Sequence, residues 1–369
     1  MSESPPSSAA PDPPQRPMRV AWVAGRETIF RLAAVLKPLA ISLMDRVVPL
    51  VVLCPRRADA AALPQPPVDV VRYGVRDRWA RRRSGSGGLV SELSARRVAL
   101  LHALDAEAAP LTRRLAQALD CPYVLSSYDA AAADGIGHLD DRGRAVLAAS
   151  DRIQQGLLER RVAPADRIFL HRPGVVRVRR ATCFVEPDKA AAIVAAGPLS
   201  RARPFETVLR AFAELHARGH QCVYFVIGSG PADRRLRRRA SVLGLSGELT
   251  FVPEQPAWQL TGILKDADLF IAPVAGERVN LPALQALAAG VPVLSAAGPA
   301  SDFLRDGRTV IGYPPEDADA LAERLETLLD DHAAAERLAA EALTYVGEHH
   351  APDTAAEAIA EVYQSVLAG

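Results

Sequence analysis

The sequence predicts an α/β chain of two Rossmann-like, doubly wound parallel-sheet domains facing each other across an interdomain cleft. Strand-like apolar runs alternate with helical stretches of roughly 10–20 residues, the pattern of parallel strands joined by right-handed crossovers. At 369 residues the chain is longer than one typical core accommodates. With 49% apolar and 24% charged residues, it has the composition of a soluble globular protein.

In the first half, Met18–Ala24 is a β-rich run, followed by a helical stretch to about Leu43 and the strand Val47–Leu53. Val68–Val71 is a short strand, and Val98–His102 precedes the helical Ala106–Leu119. Pro122–Ser126 and Ala145–Ala149 follow as strands; Asp151–Arg160 is helical and Arg167–His171 closes this half. The second half reads as strands at Ala191–Ala196, Cys222–Ile227, Glu248–Val252, Leu269–Pro273, Val291–Leu294 and Thr309–Gly312. Helices Ala333–Glu348 and Thr354–Leu367 finish the chain. These elements divide it into a leader over 1–17, one domain over 18–175, a second over 176–348, and a C-terminal helical segment, 349–369, able to pack back on the first domain.

Composition narrows the function. The net charge of +1 gives no electrostatic case for nucleic acid. Lysine occurs only at Lys37, Lys189 and Lys265, so arginine carries nearly all the positive charge. The scattered Cys54, Cys121, Cys183 and Cys222 form no C-x-x-C pair; disulfides and a zinc site are not expected, and a reducing cytoplasm fits. Residues 1–17, rich in Pro and Ser without an apolar centre, read as a disordered leader rather than a signal peptide. Arg31, Lys37, Asp45 and Arg46 interrupt the apolar region from Ile29 to Leu53, which excludes a membrane span there. The run Arg76–Arg83, followed by Ser-Gly-Ser-Gly-Gly, reads as a solvated loop, with peripheral contact to an anionic membrane at the inner face as the alternative.

The densest signal runs from Pro273 to Val293. A buried strand opens into a loop holding a lone acid, Glu277; an apolar helix containing Gln285 follows, then Gly-Val-Pro and another strand. Loops and helix N-termini at the carboxyl ends of parallel strands are where such sheets bind ligands. Two hydrogen-bonding side chains placed there suit a hydroxyl-rich ligand. Upstream, Ala195-Ala-Gly197-Pro-Leu-Ser-Arg201-Ala-Arg203-Pro forms a strand-loop-helix, and Val226-Ile-Gly228-Ser-Gly230-Pro231 a tight turn. A tight turn lets backbone N–H groups approach phosphates. Leu249-Thr-Phe-Val252-Pro and Ala267-Asp-Leu-Phe-Ile-Ala-Pro273 are the next two strands.

In this order and spacing, these segments resemble the retaining glycosyltransferases of family 4, the glycosyl transferases group 1, which adopt the GT-B fold. The resemblance spans about residues 191–312; Leu101-His102-Ala103, Pro122-Tyr-Val-Leu and Ala148-Ala-Ser150-Asp match only in outline. It implies a cytoplasmic enzyme that moves a sugar from a nucleotide-sugar donor to a glycan, lipid or small-molecule acceptor, with retention and without a metal or other cofactor. By resemblance, Arg203 takes the place of the phosphate-binding Lys, with Arg201 in the same loop. Gly197, Gly228, Gly230 and Val252 fall on donor-binding positions. Glu277 stands where the family has the first Glu of its E-x₇-E pattern, and the backbone N–H groups of Asn280 and Leu281 are expected to face the phosphates or sugar. His102 is the acceptor-side catalytic candidate.

Four positions depart from the pattern. Gln285 replaces the second Glu, Pro198 replaces a loop Arg, Arg203 is not Lys, and Tyr128 stands where a catalytic His is frequent. These departures keep a second reading open, a catalytically degenerate relative serving as a nucleotide-sugar-binding or scaffold subunit. A nucleotide-sugar epimerase is a third. The Asp266-Ala-Asp268 and Asp317-Ala-Asp319 pairs imitate a D-x-D metal motif, but one enters a strand and the other starts a helix, where Asp is a good N-cap.

Overall fold

The computed structural model describes residues 19–59, 62, 68–74, 87–131, 133–178, 189–274, 276, 278–296 and 301–368. The leader, Cys183, the run Arg76–Arg83 and Glu277 lie outside the described residues.

Among the described residues, seven parallel strands form the first sheet: β1 (Arg19–Val23), β2 (Leu50–Pro55), β3 (Asp69–Tyr73), β4 (Val98–Ala103), β5 (Tyr123–Ser127), β6 (Gly143–Ala148) and β7 (Ile168–Leu170), in the order β3-β2-β1-β4-β5-β6-β7. Six form the second: β8 (Ala191–Ala196), β9 (Cys222–Ile227), β10 (Leu249–Val252), β11 (Leu269–Ala272), β12 (Val293–Ala296) and β13 (Ile311–Tyr313), in the order β10-β9-β8-β11-β12-β13. The helices of the first half are α1 (Arg26–Asp45), α2 (Gly87–Ala95), α3 (Ala109–Leu119), α4 (Ala133–Ile136) and α5 (Asp151–Glu159). Those that follow are α6 (Arg203–Ala217), α7 (Asp233–Val242), α8 (Ala257–Leu264), α9 (Leu281–Ala288), α10 (Ala318–Asp330), α11 (His332–His349) and α12 (Pro352–Ala368).

Every strand anticipated from the sequence is present, most with ends shifted by a residue or more. The central strands are apolar almost throughout, as in β8 (AAIVAA) and β9 (CVYFVI). Helices cover both faces of a parallel sheet, so neither face needs polar residues. The helices instead show one-sided burial. In α6, Phe205, Val208, Leu209, Phe212 and Leu215 point into the core, and Pro204 opens the first turn where its missing N–H is not needed.

The order of strands along each parallel sheet reverses once, between β1 and β4 and between β8 and β11. Those reversals splay the loops at the carboxyl ends of the strands and open a crevice. The two sheets present their crevices to each other. Backbone and side chains then tie the lobes together: Val279 N–H donates to the Tyr128 carbonyl at 3.0 Å, and Arg278 Nε to Asp129 Oδ2 at 2.9 Å. The Lys37 ammonium lies 4.8 Å from the ring centre of Trp258.

The chain ends by returning to the first lobe, where α12 packs on α1. Trp22 Nε1 donates to the Tyr363 hydroxyl at 2.9 Å; that hydroxyl lies 2.6 Å from His102 Nδ1, and His102 Nε2 lies 2.7 Å from Ser126 Oγ. His171 Nε2 meets the Ala355 carbonyl at 3.0 Å. These groups are buried and mutually satisfied, so the polar residues at this seam fix where the terminal helix seats.

Candidate functional site

A cleft of about 310 Å³ lies where the two crevices meet. Glu27, Phe30 and Arg31 of α1, the helix that follows β1, form one wall. The opposite wall comes from the second lobe: Gly197 and Pro198 after β8, Glu254 and Gln255 after β10, and the loop after β11 leading into α9. Every segment therefore enters at the carboxyl end of a strand or at the helix that follows it.

Gln285, only 6% exposed, reaches the cleft from α9. Its Nε2 donates to the Ala257 carbonyl at 3.2 Å, which fixes the amide and leaves Oε1 as the end free to accept. A carboxylate at this position would lack the donor for that bond. Asn280 and Leu281 also line the cleft, but their N–H groups are engaged: Asn280 donates to Ser301 Oγ at 3.0 Å and Leu281 to the Val279 carbonyl at 3.1 Å. The Asn280 side chain caps α9 by accepting from Ala283 N at 3.1 Å, and Pro282 has no N–H to give. The expectation that these two N–H groups face a phosphate does not fit the arrangement, because the helix start is already closed upon itself.

The glycines divide by role. Gly197 lines the cleft, whereas Gly228 and Gly230 do not. A Cβ on Gly228 would fall 2.1 Å from the Gly197 carbonyl oxygen, and one on Gly230 would fall 2.4 Å from Leu199 backbone atoms. The turn thus needs glycine to let two backbone segments touch, joined by Leu199 N–H donating to the Ser229 carbonyl and Ala232 N–H to the Leu199 carbonyl, both at 3.0 Å. Val252 supports the same layer, its carbonyl accepting from Gly228 N–H at 3.0 Å, and it too lies off the cleft.

Arg203 is placed elsewhere than the sequence suggests. Its side chain is 75% exposed and pairs with Glu316 at 2.6 Å, in a groove that shares no residue with the cleft. Arg201 is exposed and does not line the cleft either. His102 lies inside the first sheet, and burial holds its pKa down to about 3, so it is a neutral structural group away from the cleft. The convergence of Arg203 with Gln285 is therefore not found, and Glu277 is outside the described residues.

The cations of the cleft are instead Arg31 and Arg278. Arg31 makes no ion pair among the described residues; burial lowers its pKa first, the like charge of Arg278 second, against the pull of Glu254, Glu27 and Asp129. Glu254 is raised mainly by burial, with Arg31 opposing. Two guanidinium groups and two carboxylates, Glu27 and Glu254, thus share a half-enclosed space. Guanidinium groups match phosphate oxygens, and carboxylates accept from sugar hydroxyls. Sequence reasoning missed Arg31 because it looks like any charged position on an amphipathic helix. Arg278 stood next to a residue that was singled out and carried no signal of its own. Among the described residues, no three His, Cys, Asp or Glu side chains converge as a metal site.

Residues 184–344 match the family model of the glycosyl transferases group 1. The match lies almost wholly within the second lobe. The D-inositol 3-phosphate glycosyltransferase of Nocardia farcinica is 31% identical over 216 residues, 56% of this chain and 47% of that protein. The chain spans about half the length of curated relatives such as this one. The solved structure of Anabaena Alr3699/HepE in complex with UDP and glucose superimposes with a TM-score of 0.73 at 16% identity, covering 94% of this chain and all of that one. A glycosyltransferase from Rickettsia africae superimposes at 0.72 with 12% identity, over 95% of this chain and 99% of that one. The two lobes together have the GT-B fold. No helix among the described residues is long and apolar enough to cross a membrane.

Proposed function

We propose that the cleft binds a nucleotide-sugar and that the chain transfers its sugar, with retention and without a metal, to an acceptor held by the first lobe. The observation that carries the reading is the meeting of both sheet crevices in one cleft that offers guanidinium, carboxylate and amide groups together. Arg278 and Arg31 neutralise charge growing on the leaving diphosphate as the glycosidic bond breaks. Gln285 Oε1 accepts from a ribose hydroxyl, and Glu27 and Glu254 accept from sugar or acceptor hydroxyls. Glu277 keeps the role its family position implies, beside the sugar. The UDP and glucose bound by the Anabaena neighbour support this class of donor.

Incubation with a panel of UDP-, GDP- and ADP-sugars is expected to release nucleoside diphosphate from one of them. A second reading, a nucleotide-sugar-binding subunit without turnover, is favoured by the location of Arg203 outside the cleft and of His102 in the core. Donor binding without release from any sugar would establish that second reading, and absence of binding would remove both.

Gln285→Glu separates the role of the amide from that of a helix filler. The new carboxylate accepts from both ribose hydroxyls, and charged acceptors make bonds worth about 1–2 kcal/mol more than neutral ones, or ~10-fold in affinity. In the free protein it loses its bond to Ala257 and faces that carbonyl unpaired, which costs stability. The variant is expected to melt lower than the parent without ligand and to recover disproportionately with UDP. Equal ligand-induced shifts in melting temperature for the two proteins would remove Gln285 from the ribose site.

A further inference from the structure

The groove that takes Arg203 is a feature in its own right. It is a hollow of about 570 Å³ between α6 and α7, and five arginines line it against two glutamates. Both carboxylates are committed: Glu316 pairs with Arg203 at 2.6 Å and Glu206 with Arg235 at 2.7 Å. Arg210, Arg238 and Arg239 form no ion pair among the described residues and stand exposed on the two walls. The chain as a whole carries a net charge of only +1, so this concentration is local.

The sequence of α7 sharpens the point. The helix is held to the core by Leu236 and Ala240, and five of its ten residues are arginine. Arg234 with Arg238, and Arg235 with Arg239, repeat at a spacing of four, where like charges repel and weaken a helix. An ordinary solvated face alternates signs; this one offers only Asp233, which is spent on Arg237 at 2.9 Å. A ligand bringing several negative charges would relieve that repulsion. Guanidinium forks on two walls match oxygen-rich, multiply charged groups, and phosphate fits them bidentately.

We propose that the groove between α6 and α7 is a second binding site, separate from the cleft, for a ligand bearing clustered phosphates, either a soluble polyphosphate or the headgroups of an anionic lipid surface. Two probes distinguish the sources: inorganic tripolyphosphate followed by calorimetry, and vesicles of phosphatidylglycerol in phosphatidylcholine followed by co-sedimentation. The parent protein is expected to bind one of them, more weakly as salt rises. Arg210→Gln combined with Arg238→Gln and Arg239→Gln should lower that affinity at least about tenfold, the equivalent of losing one charge-assisted contact. The same triple variant should melt no lower than the parent, because repulsion is removed and no ion pair is broken, and should bind UDP as the parent does. Tripolyphosphate binding that the variant loses assigns a soluble ligand; vesicle binding that it loses assigns a lipid surface. Failure of the parent to bind either probe, or equal binding by the variant, overturns the site. Because UDP binding is read separately, that failure is distinct from failure of the nucleotide-sugar reading.

Discussion

Arg31→Ala is expected to weaken binding of a nucleoside diphosphate by about 10- to 100-fold, the range for losing a hydrogen bond to a charged group, about 1.5–3 kcal/mol. Arg31 reaches the cleft from the first lobe, holds no ion pair among the described residues, and has burial as the main influence on its pKa. Burial with no ion pair among the described residues penalises the charge in the free protein more than the nearby carboxylates offset, and a phosphate would repay that penalty. Truncation should therefore leave the melting temperature of the free protein unchanged or slightly raised while affinity falls. Arg31→Lys keeps the charge but not the fork, and should lie between the two. The companion substitution is Arg203→Ala, which should leave affinity within about twofold, because that side chain serves Glu316 outside the cleft. Calorimetric titration of UDP into the three proteins tests the assignment. A large loss for Arg203→Ala with none for Arg31→Ala would return the phosphate role to the loop after β8 and sink the present one.

The contrast between those two arginines marks how far the sequence could be read. Strand runs such as AAIVAA and CVYFVI announce themselves, since a strand covered on both faces is apolar along its whole length. The crossovers follow from their spacing, and the sheet order places the crevices. That Gln285 and Gly197 would line the cleft was also legible, because each occupies a fixed place relative to a strand end. Side-chain direction was not. Arg203 begins α6, and only the location of Glu316, more than a hundred residues later, decides which way it turns. Likewise, the glycines of the Gly228–Gly230 turn looked like a phosphate cradle, yet the need for them comes from the backbone of Gly197 and Leu199 pressed against the turn. Long-range partners of this kind leave no local trace. Arg31 is the inverse case, a helix position that joins the cleft wall only because the second lobe stands across from it.

His102 shows the same limit from another side, and it leads to an expected loss of stability in mild acid. Burial holds the pKa of His102 down to about 3 and those of His171 and His350 down to about 4. All three have an ordinary value of 6.5 in the unfolded chain, so below that pH the unfolded state binds protons that the folded state refuses. Their contribution is intact above about pH 6.5 and is lost as pH falls from there towards 4. Each such histidine costs about 1.4 kcal/mol per pH unit. Together, over two units, they remove on the order of 8 kcal/mol, similar to the whole stability of many proteins. Asp151 and Glu254, both raised by burial, work the other way, holding protons more readily when folded, but only near their own lower range. All three histidines sit where the chain returns to the first lobe: His102 against Tyr363, His171 against Ala355, and His350 Nδ1 2.8 Å from the Pro173 carbonyl. Protonation should thus release α12 from the first sheet before the second sheet melts. Calorimetric melting at pH 7.5, 6.5, 5.5 and 4.5 is expected to show little change over the first step and a steep fall over the last two, with tryptophan emission shifting as buried Trp22 loses its bond to Tyr363. His171→Gln, which keeps a donor for the Ala355 carbonyl, should flatten the slope by about one proton. A melting temperature that stays level down to pH 4.5 would mean that these histidines are free to charge in place, and the seam between α12 and the first lobe would not be the acid-sensitive point of the fold.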